Sequence, residues 1–119
     1  MRSTGQRFED LACHALQRAG LTLLARNYHT RHGEIDLIMR DGDSIVFVEV
    51  RFRRSAYHGS AADSVTASKR DKLLKAADAW LATTSRHASA PCRFDVVSYD
   101  GSDEHARMTW LRAAFDATT

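Results

Sequence analysis

The fold is decided by residues 33–52, which read GEIDLIMRDGDSIVFVEVRF. The runs Ile35 to Met39 and Ile45 to Phe52 are rich in β-branched and aromatic residues, and they therefore predict two strands. Between them lies Asp41-Gly42, a residue pair that favours a two-residue hairpin turn. The stretch therefore predicts an antiparallel β-hairpin.

The register of this hairpin follows from the position of its turn. A turn at Asp41-Gly42 places Asp36 opposite Phe47 and Glu34 opposite Glu49. Side chains alternate between the two faces of a strand. One face of the hairpin is therefore entirely apolar and is expected to cover a core: Ile35, Leu37, Met39, Val46, Val48, Val50 and Phe52.

The opposite face becomes charged away from the turn. In the predicted register Asp36 and Glu49 are diagonal neighbours, about 7–8 Å apart at the backbone. Glu34 directly opposes Glu49, and like charges opposed on a sheet destabilise it, so we expect a bound cation or the Arg51 guanidinium to compensate for these acids. The alternative is that both acids are solvated and simply paired with Arg31 and Arg51.

The remaining elements follow from hydrophobic periodicity and capping signals. They are a helix from Ser3 or Thr4 to Gly20, a strand at Leu21 to His29, a helix from Thr66 or Ser68 to about Thr83, a strand at Arg93 to Tyr99, and a short strand passing into a helical turn at Arg107 to Phe115. This order predicts an α/β fold with a mixed sheet whose first part is antiparallel. At 119 residues the chain is expected to form one domain spanning 1–119.

Composition places few limits on function. The chain is 44% hydrophobic and 27% charged, with a net charge of +2, which permits an anionic partner without requiring one. Its longest apolar runs fall short of the 18 or so residues of a membrane span, so no membrane partner is expected. The polar stretch 1–10 lacks the apolar core of a signal peptide, and we expect a cytoplasmic protein.

The cysteines and histidines do not form a recognisable metal motif. Cys13 and Cys92 lack CxxC spacing and are expected to be small buried hydrophobes rather than a disulfide or a metal pair. His29 and His32 share no zinc-like spacing with a cysteine or a further histidine, so no structural zinc is expected. Asp95 alternates within an apolar strand and is expected to be a buried, satisfied acid without a catalytic role.

Several motifs in this order resemble the YraN-like family of small bacterial proteins. That family is a predicted branch of the PD-(D/E)XK nuclease superfamily and is similar to the archaeal Holliday-junction resolvases. The resemblance implies a restriction-endonuclease-like core with helices flanking the sheet. It covers nearly the whole chain and rests on the hairpin strands 33–38 and 46–51 together with Gly5, Glu9, Arg26-Asn27, Lys69 and the stretch 93–97.

The resemblance also implies a site for Mg²⁺ or Mn²⁺. Asp36 matches the acid of the second strand of the superfamily, and Glu49 and Arg51 match the acid-x-lysine pair of the third. Asp36, Glu49 and the carbonyl of Val50 are the implied ligands. Glu9 resembles the helical acid that resolvase-like members add, and it would hold a metal-bound water or a second ion.

One departure from the pattern is that Arg51 stands where the superfamily usually has lysine. An arginine side chain stays protonated and cannot serve as a base, although it can clamp a phosphate through two hydrogen bonds. Lys69 continues the inward-facing stripe of the second helix and is the candidate for contact with substrate or water. The alternative is that it reaches out to solvent. Arg51, Arg53, Arg54 and Lys69 are the residues expected to contact nucleic acid.

The resemblance therefore implies a metal-dependent nuclease-like protein that acts on DNA, branched or damaged DNA included. The alternative is a non-catalytic nucleic-acid-binding module in which Arg51 marks an eroded nuclease site. A third hypothesis is an interaction protein that keeps only the scaffold. Asp36, Glu49 and Glu9 together favour the first. The sequence leaves the oligomeric state open, a homodimer included.

Overall fold

The computed structural model of the chain describes residues 3–54, 63–102 and 104–115. Within these ranges lie two α-helices, one short 3-10 helix and five strands. They are α1 (Thr4–Arg18), β1 (Thr22–His29), β2 (Glu34–Asp41), β3 (Ser44–Arg53), α2 (Ala67–Thr83), the 3-10 helix (Ser85–His87), β4 (Cys92–Asp100) and β5 (Arg107–Phe115).

The strands form one mixed sheet in the order β1-β2-β3-β4-β5. The pairs β1–β2, β2–β3 and β4–β5 are antiparallel, whereas β3 and β4 are parallel. A parallel pair needs a crossover connection, and α2 lies in the connection between β3 and β4. The predicted α/β fold with an antiparallel first part is confirmed, and it is consistent with a restriction-endonuclease-like core.

Local signals in the sequence explain where the helices begin and end. The Ser3 hydroxyl accepts a hydrogen bond from the Gln6 N–H, and the Gln6 side chain accepts one from the Ser3 N–H, which is a capping box. Gly20 follows the end of α1 with a φ of +102°, a conformation that favours glycine. The Thr66 hydroxyl caps α2 by accepting a hydrogen bond from the Lys69 N–H.

The sheet has a hydrophobic cluster on each side. The cluster under α1 contains Phe8, Ala12 and Leu16 of that helix and, from the hairpin, Leu37, Met39, Val46 and Val48, with Val50 and Phe52 packed against it. The cluster under α2 contains Ile38 and Phe47, which belong to the opposite face. Ile35 is an exception to the predicted apolar face, because it lies in the α2 cluster. The strict alternation therefore breaks between Ile35 and Leu37.

Two further predictions need correction. The segment Arg107–Phe115 is a strand throughout rather than a strand passing into a helical turn. Buried Asp95 holds it there, because its carboxylate accepts hydrogen bonds from the Trp110 indole and the Ala113 N–H, both at 2.9 Å. Cys13 is buried as predicted, but Cys92 is exposed because it is the first residue of β4.

No helix within the described ranges is long and apolar enough to cross a membrane.

Candidate active site

The hairpin that carries the two strand acids turns one residue later than predicted. Asp41 pairs with Ser44, so the two turn residues are Gly42 and Asp43. Gly42 has a φ of +59°, and the first central position of a type II′ hairpin turn favours glycine. The predicted turn at Asp41-Gly42 is therefore wrong.

Each residue of β2 therefore pairs with the residue of β3 that lies two positions further along than predicted. Phe47 pairs with Ile38 instead of Asp36. Because the shift is an even number of residues, Asp36 and Glu49 stay on the same face. They are the next residues on their strands after the last paired residues, Leu37 and Val48. The two acids are therefore opposite each other rather than diagonal.

The sheet opens between β2 and β3 at the position of these acids. Beyond Leu37–Val48 the strand β2 stays paired with β1, down to Glu34 opposite His29. The strand β3 stays paired with β4, up to Arg53 opposite Asp100. Where the backbone ladder between β2 and β3 ends, a side-chain bond spans the gap. The Asp36 Oδ2 accepts a hydrogen bond of 2.8 Å from the Val50 N–H.

Both carboxylates are removed from solvent, with Asp36 7% and Glu49 5% exposed. Burial, together with the hydrogen bond and the negative charge of Asp36, raises the pKa of Glu49 to about 8, and Lys69 opposes this rise. The Lys69 Nζ lies 3.2 Å from the Glu49 Oε2. Lys69 therefore pairs with Glu49, and the contact with substrate or water predicted for it stays a prediction.

Glu9 reaches the same region from α1. Burial and the charge of Asp36 raise the pKa of Glu9, whereas the Arg26 guanidinium lowers it. Glu9 Oε1 is buried without a hydrogen-bond partner among the described residues. In the described ranges, however, no three His, Cys, Asp or Glu side chains form a group that could hold a metal ion. Glu9 therefore lies near Asp36 without joining the two strand acids in a three-carboxylate cluster.

Arg26 is a residue of this region that was not among the predicted site residues. Its Nη2 donates to Asp10 Oδ1 at 2.8 Å, which ties β1 to α1. Its Nε is buried and has no hydrogen-bond partner within the described ranges. The signal in the sequence is an arginine that follows the stretch 21–25, in which only Thr22 is polar, and the role of this arginine appears only when α1 and β1 are docked.

The hairpin between β1 and β2 brings Asp36 close to α2. A Cβ built on Gly33 would lie 3.1 Å from the Cβ of Lys72, closer than nearly all real contacts of this kind. Glycine at this position therefore lets the start of β2 pack against α2. The same helix carries Lys69, so this close approach helps to set the distance between Lys69 and the acids.

The predicted arginines differ in their surroundings. Arg51 follows Glu49 by two positions on β3, is half-buried, and pairs in register with Ser98 of β4. Arg53 donates two hydrogen bonds to Asp100, at 2.7 and 3.1 Å, so a contact with nucleic acid would compete with this ion pair. Arg54 is exposed, with its guanidinium 5.9 Å from the centre of the Phe52 ring. The roles predicted for these arginines and for the Val50 carbonyl stay predictions.

Comparison with known proteins finds relatives that match nearly the whole chain, including the residues of this site. The model of the uncharacterised protein family UPF0102 matches residues 8–99, a range that includes Glu9, Asp36, Glu49 and Lys69. A UPF0102 protein of Yersinia enterocolitica is 54% identical over 98% of this chain and 97% of its own length. A UPF0102 protein of Nitrosococcus oceani is 49% identical over 96% and 92%, and one of Pseudomonas aeruginosa is 48% identical over 98% and 94%.

Proposed function

The chain belongs to the uncharacterised protein family UPF0102, and from the site that it carries we propose a divalent-metal-dependent nuclease-like activity on DNA, branched or damaged DNA included. One observation carries this proposal. Asp36 and Glu49 lie buried at the point where β2 and β3 separate, and the Lys69 ammonium lies 3.2 Å from Glu49. A buried acid with a strongly perturbed pKa and a specific charged neighbour, as Glu49 has, is typical of functional sites.

The residues present fit a divalent cation. Mg²⁺ is commonly held by one or two carboxylates while water and substrate phosphate fill its other positions. Asp36 and Glu49 would be those two carboxylates, so a third protein carboxylate is not required. A cation would also relieve the repulsion that contributes to the raised pKa of Glu49. The buried Oε1 of Glu9 could accept a hydrogen bond from a water molecule at the site.

When bound, such a cation neutralises phosphate charge, lowers the pKa of a water molecule and stabilises the leaving oxygen. The side chains of this chain then have separate tasks. The bond from the Val50 N–H fixes the orientation of Asp36. Lys69 can donate a hydrogen bond to the attacking water or to a phosphate oxygen. Arg51 keeps its charge and clamps the phosphate without taking up a proton.

The test is a panel of linear, flapped and four-way-junction DNA incubated with Mg²⁺, Mn²⁺ or Ca²⁺. We expect cleavage with Mg²⁺ or Mn²⁺ that is abolished in Asp36→Asn while DNA binding is kept. Asp43→Asn, which changes an exposed acid in the turn, is the matched control and should cleave normally. The proposal fails if purified protein cuts no DNA or RNA, or if cutting persists in Asp36→Asn, since a contaminant would then be responsible.

A second candidate function is a non-catalytic nucleic-acid-binding module. One observation favours it: the Lys69 ammonium lies 3.2 Å from Glu49 Oε2 and can neutralise that carboxylate. The site would then need no cation. Calorimetry with Mg²⁺ and Mn²⁺ separates the two functions, because only the nuclease requires the ion. The cytoplasmic location and the homodimer stay predictions.

A further inference from the structure

A second polar site lies where β3, β4 and β5 meet, away from the two acids. An open cavity of about 430 Å³ is lined by Arg54, Asp100, Gly101, His105 and Arg107. The sheet itself brings these residues together. Arg53, the residue before Arg54, pairs with Asp100, and Asp100 pairs with Arg107. The Gly101 N–H also donates to the carbonyl of Arg53 at 2.9 Å.

The cavity keeps a positive charge after Asp100, the one acid among its described lining residues, is paired with Arg53. Asp100 Oδ1 accepts from Arg53 Nε at 2.7 Å and from the Ser98 hydroxyl at 3.0 Å, and Oδ2 accepts from Arg53 Nη2 at 3.1 Å. The Arg53 guanidinium accordingly lowers the pKa of Asp100 and balances its charge. Neither Arg54 nor Arg107 has a carboxylate partner within the described ranges.

We propose that this cavity binds a phosphate group, with Arg54 and Arg107 as the charged donors. Guanidinium groups suit phosphate because their planar N–H groups match two oxygens at once. The His105 ring, which also lines the cavity, can donate a further hydrogen bond. The phosphate would come from the backbone of a nucleic-acid strand or from a free phosphate. The first source rests on the proposed function, and the second is independent of it.

The cavity and the two acids are separate sites. Arg54 follows Glu49 by five residues, which is about 16 Å along a strand at about 3.3 Å per residue. The offset is odd, and the Arg54 guanidinium lies over the ring of Phe52, which packs against the α1 cluster, whereas Glu49 contacts Lys69 of α2. The two sources of phosphate are therefore distinguished by experiment.

The first experimental arm measures binding of a 20-base-pair duplex by fluorescence anisotropy in EDTA, over a series of salt concentrations. We expect Arg54→Ala with Arg107→Ala to weaken binding about tenfold. The slope of log K against log salt should fall by about 0.9 for each phosphate that the double variant no longer binds. Arg86→Ala is the matched control. Arg86 is exposed in the 3-10 helix before β4, at the other end of that strand, and its removal should leave the slope unchanged.

The second arm titrates inorganic phosphate and follows the backbone amides of Gly101 and His105 by NMR. Shifts that disappear in the double variant, together with the reduced salt slope, identify a nucleic-acid strand as the source. The same shifts with an unchanged salt slope identify a free phosphate. The proposal is overturned if phosphate shifts neither amide and the double variant binds DNA like Arg86→Ala. Because both arms are free of metal, a protein that cleaves no DNA or RNA would refute the nuclease activity without changing either result.

Discussion

The Lys69 ammonium lies 3.2 Å from Glu49 Oε2 and joins the first turn of α2 to β3. Glu49 is nearly fully buried, and the charge of Lys69 is the main influence that opposes the rise of its pKa to about 8. No local sequence pattern relates these two side chains, and they meet only because α2 packs across the sheet. The protonation of Glu49 therefore depends on a helical residue 20 positions further along the chain.

Removal of this positive charge should raise the pKa of Glu49 further. We expect the pKa of Glu49 in Lys69→Met to exceed the value of about 8, because the opposing charge is gone while burial and Asp36 remain. The measurement is a carbon-13 NMR titration of the glutamate carboxyls. Lys75→Met is the control, because Lys75 pairs with Asp71 on the exposed side of the same helix. An unchanged Glu49 titration in Lys69→Met would show that the ion pair is not formed in solution.

Stability without metal should fall as the pH rises towards 8. The pKa of Glu49 is raised from 4.5 to about 8, so the folded state binds a proton more tightly than the unfolded state. The stabilising effect is therefore complete below pH 4.5 and is lost as the pH rises through about 8. Glu49→Gln should remove this loss.

Urea unfolding in EDTA between pH 5 and pH 9 measures this effect. The control is Glu104→Gln, which changes an exposed acid and should keep the pH dependence of the unchanged protein. Equal pH profiles for Glu49→Gln and the unchanged protein would contradict the prediction.

Metal affinity should show the opposite trend and increase up to about pH 8, because the cation must displace the proton of Glu49.

Two substitutions of Asp36 should separate its charge from its hydrogen bond. Asp36→Asn keeps an acceptor for the Val50 N–H and removes the repulsion with ionised Glu49, so above about pH 8 we expect equal or higher thermal stability without metal. Asp36→Ala leaves that N–H without its acceptor and should cost about 1–3 kcal/mol. Calorimetry should detect weak Mg²⁺ or Mn²⁺ binding to the unchanged protein and none to either variant. Metal affinity that survives in both would remove Asp36 from the site.

Arg51 distinguishes an enzyme from a binding module. If the domain cleaves DNA, Arg51→Lys should keep or raise the rate, because lysine is the usual residue at the matching position of the nuclease superfamily that the sequence resembles. Arg51→Ala should slow cleavage and leave metal binding nearly intact, since the acids are unchanged. If the domain only binds, both variants should change the salt dependence by about one phosphate contact at most. Cleavage by Arg51→Ala at the full rate would exclude Arg51 from the reaction.

Local chemistry was sufficient to predict most elements and the shared face of the two acids, although not their pairing. The strands follow from β-branched runs, and α1 begins at Ser3 because its hydroxyl caps the helix. Asp36 and Glu49 share a face although the predicted turn was wrong. Side chains alternate with a period of two, so a slip of the register by two residues does not by itself move a side chain to the other face.

The contacts that decide what the site can do depend on how distant elements dock. Only the tertiary structure brings Lys69 to Glu49, pairs Arg53 with Asp100, and leaves Glu9 beside Asp36 without a three-carboxylate cluster among the described residues. Asp95 likewise keeps β5 extended through bonds that no local pattern predicts. Sequence periodicity reports the direction of a side chain from its own strand or helix. The partner that it meets depends on the packing of elements far apart in the chain.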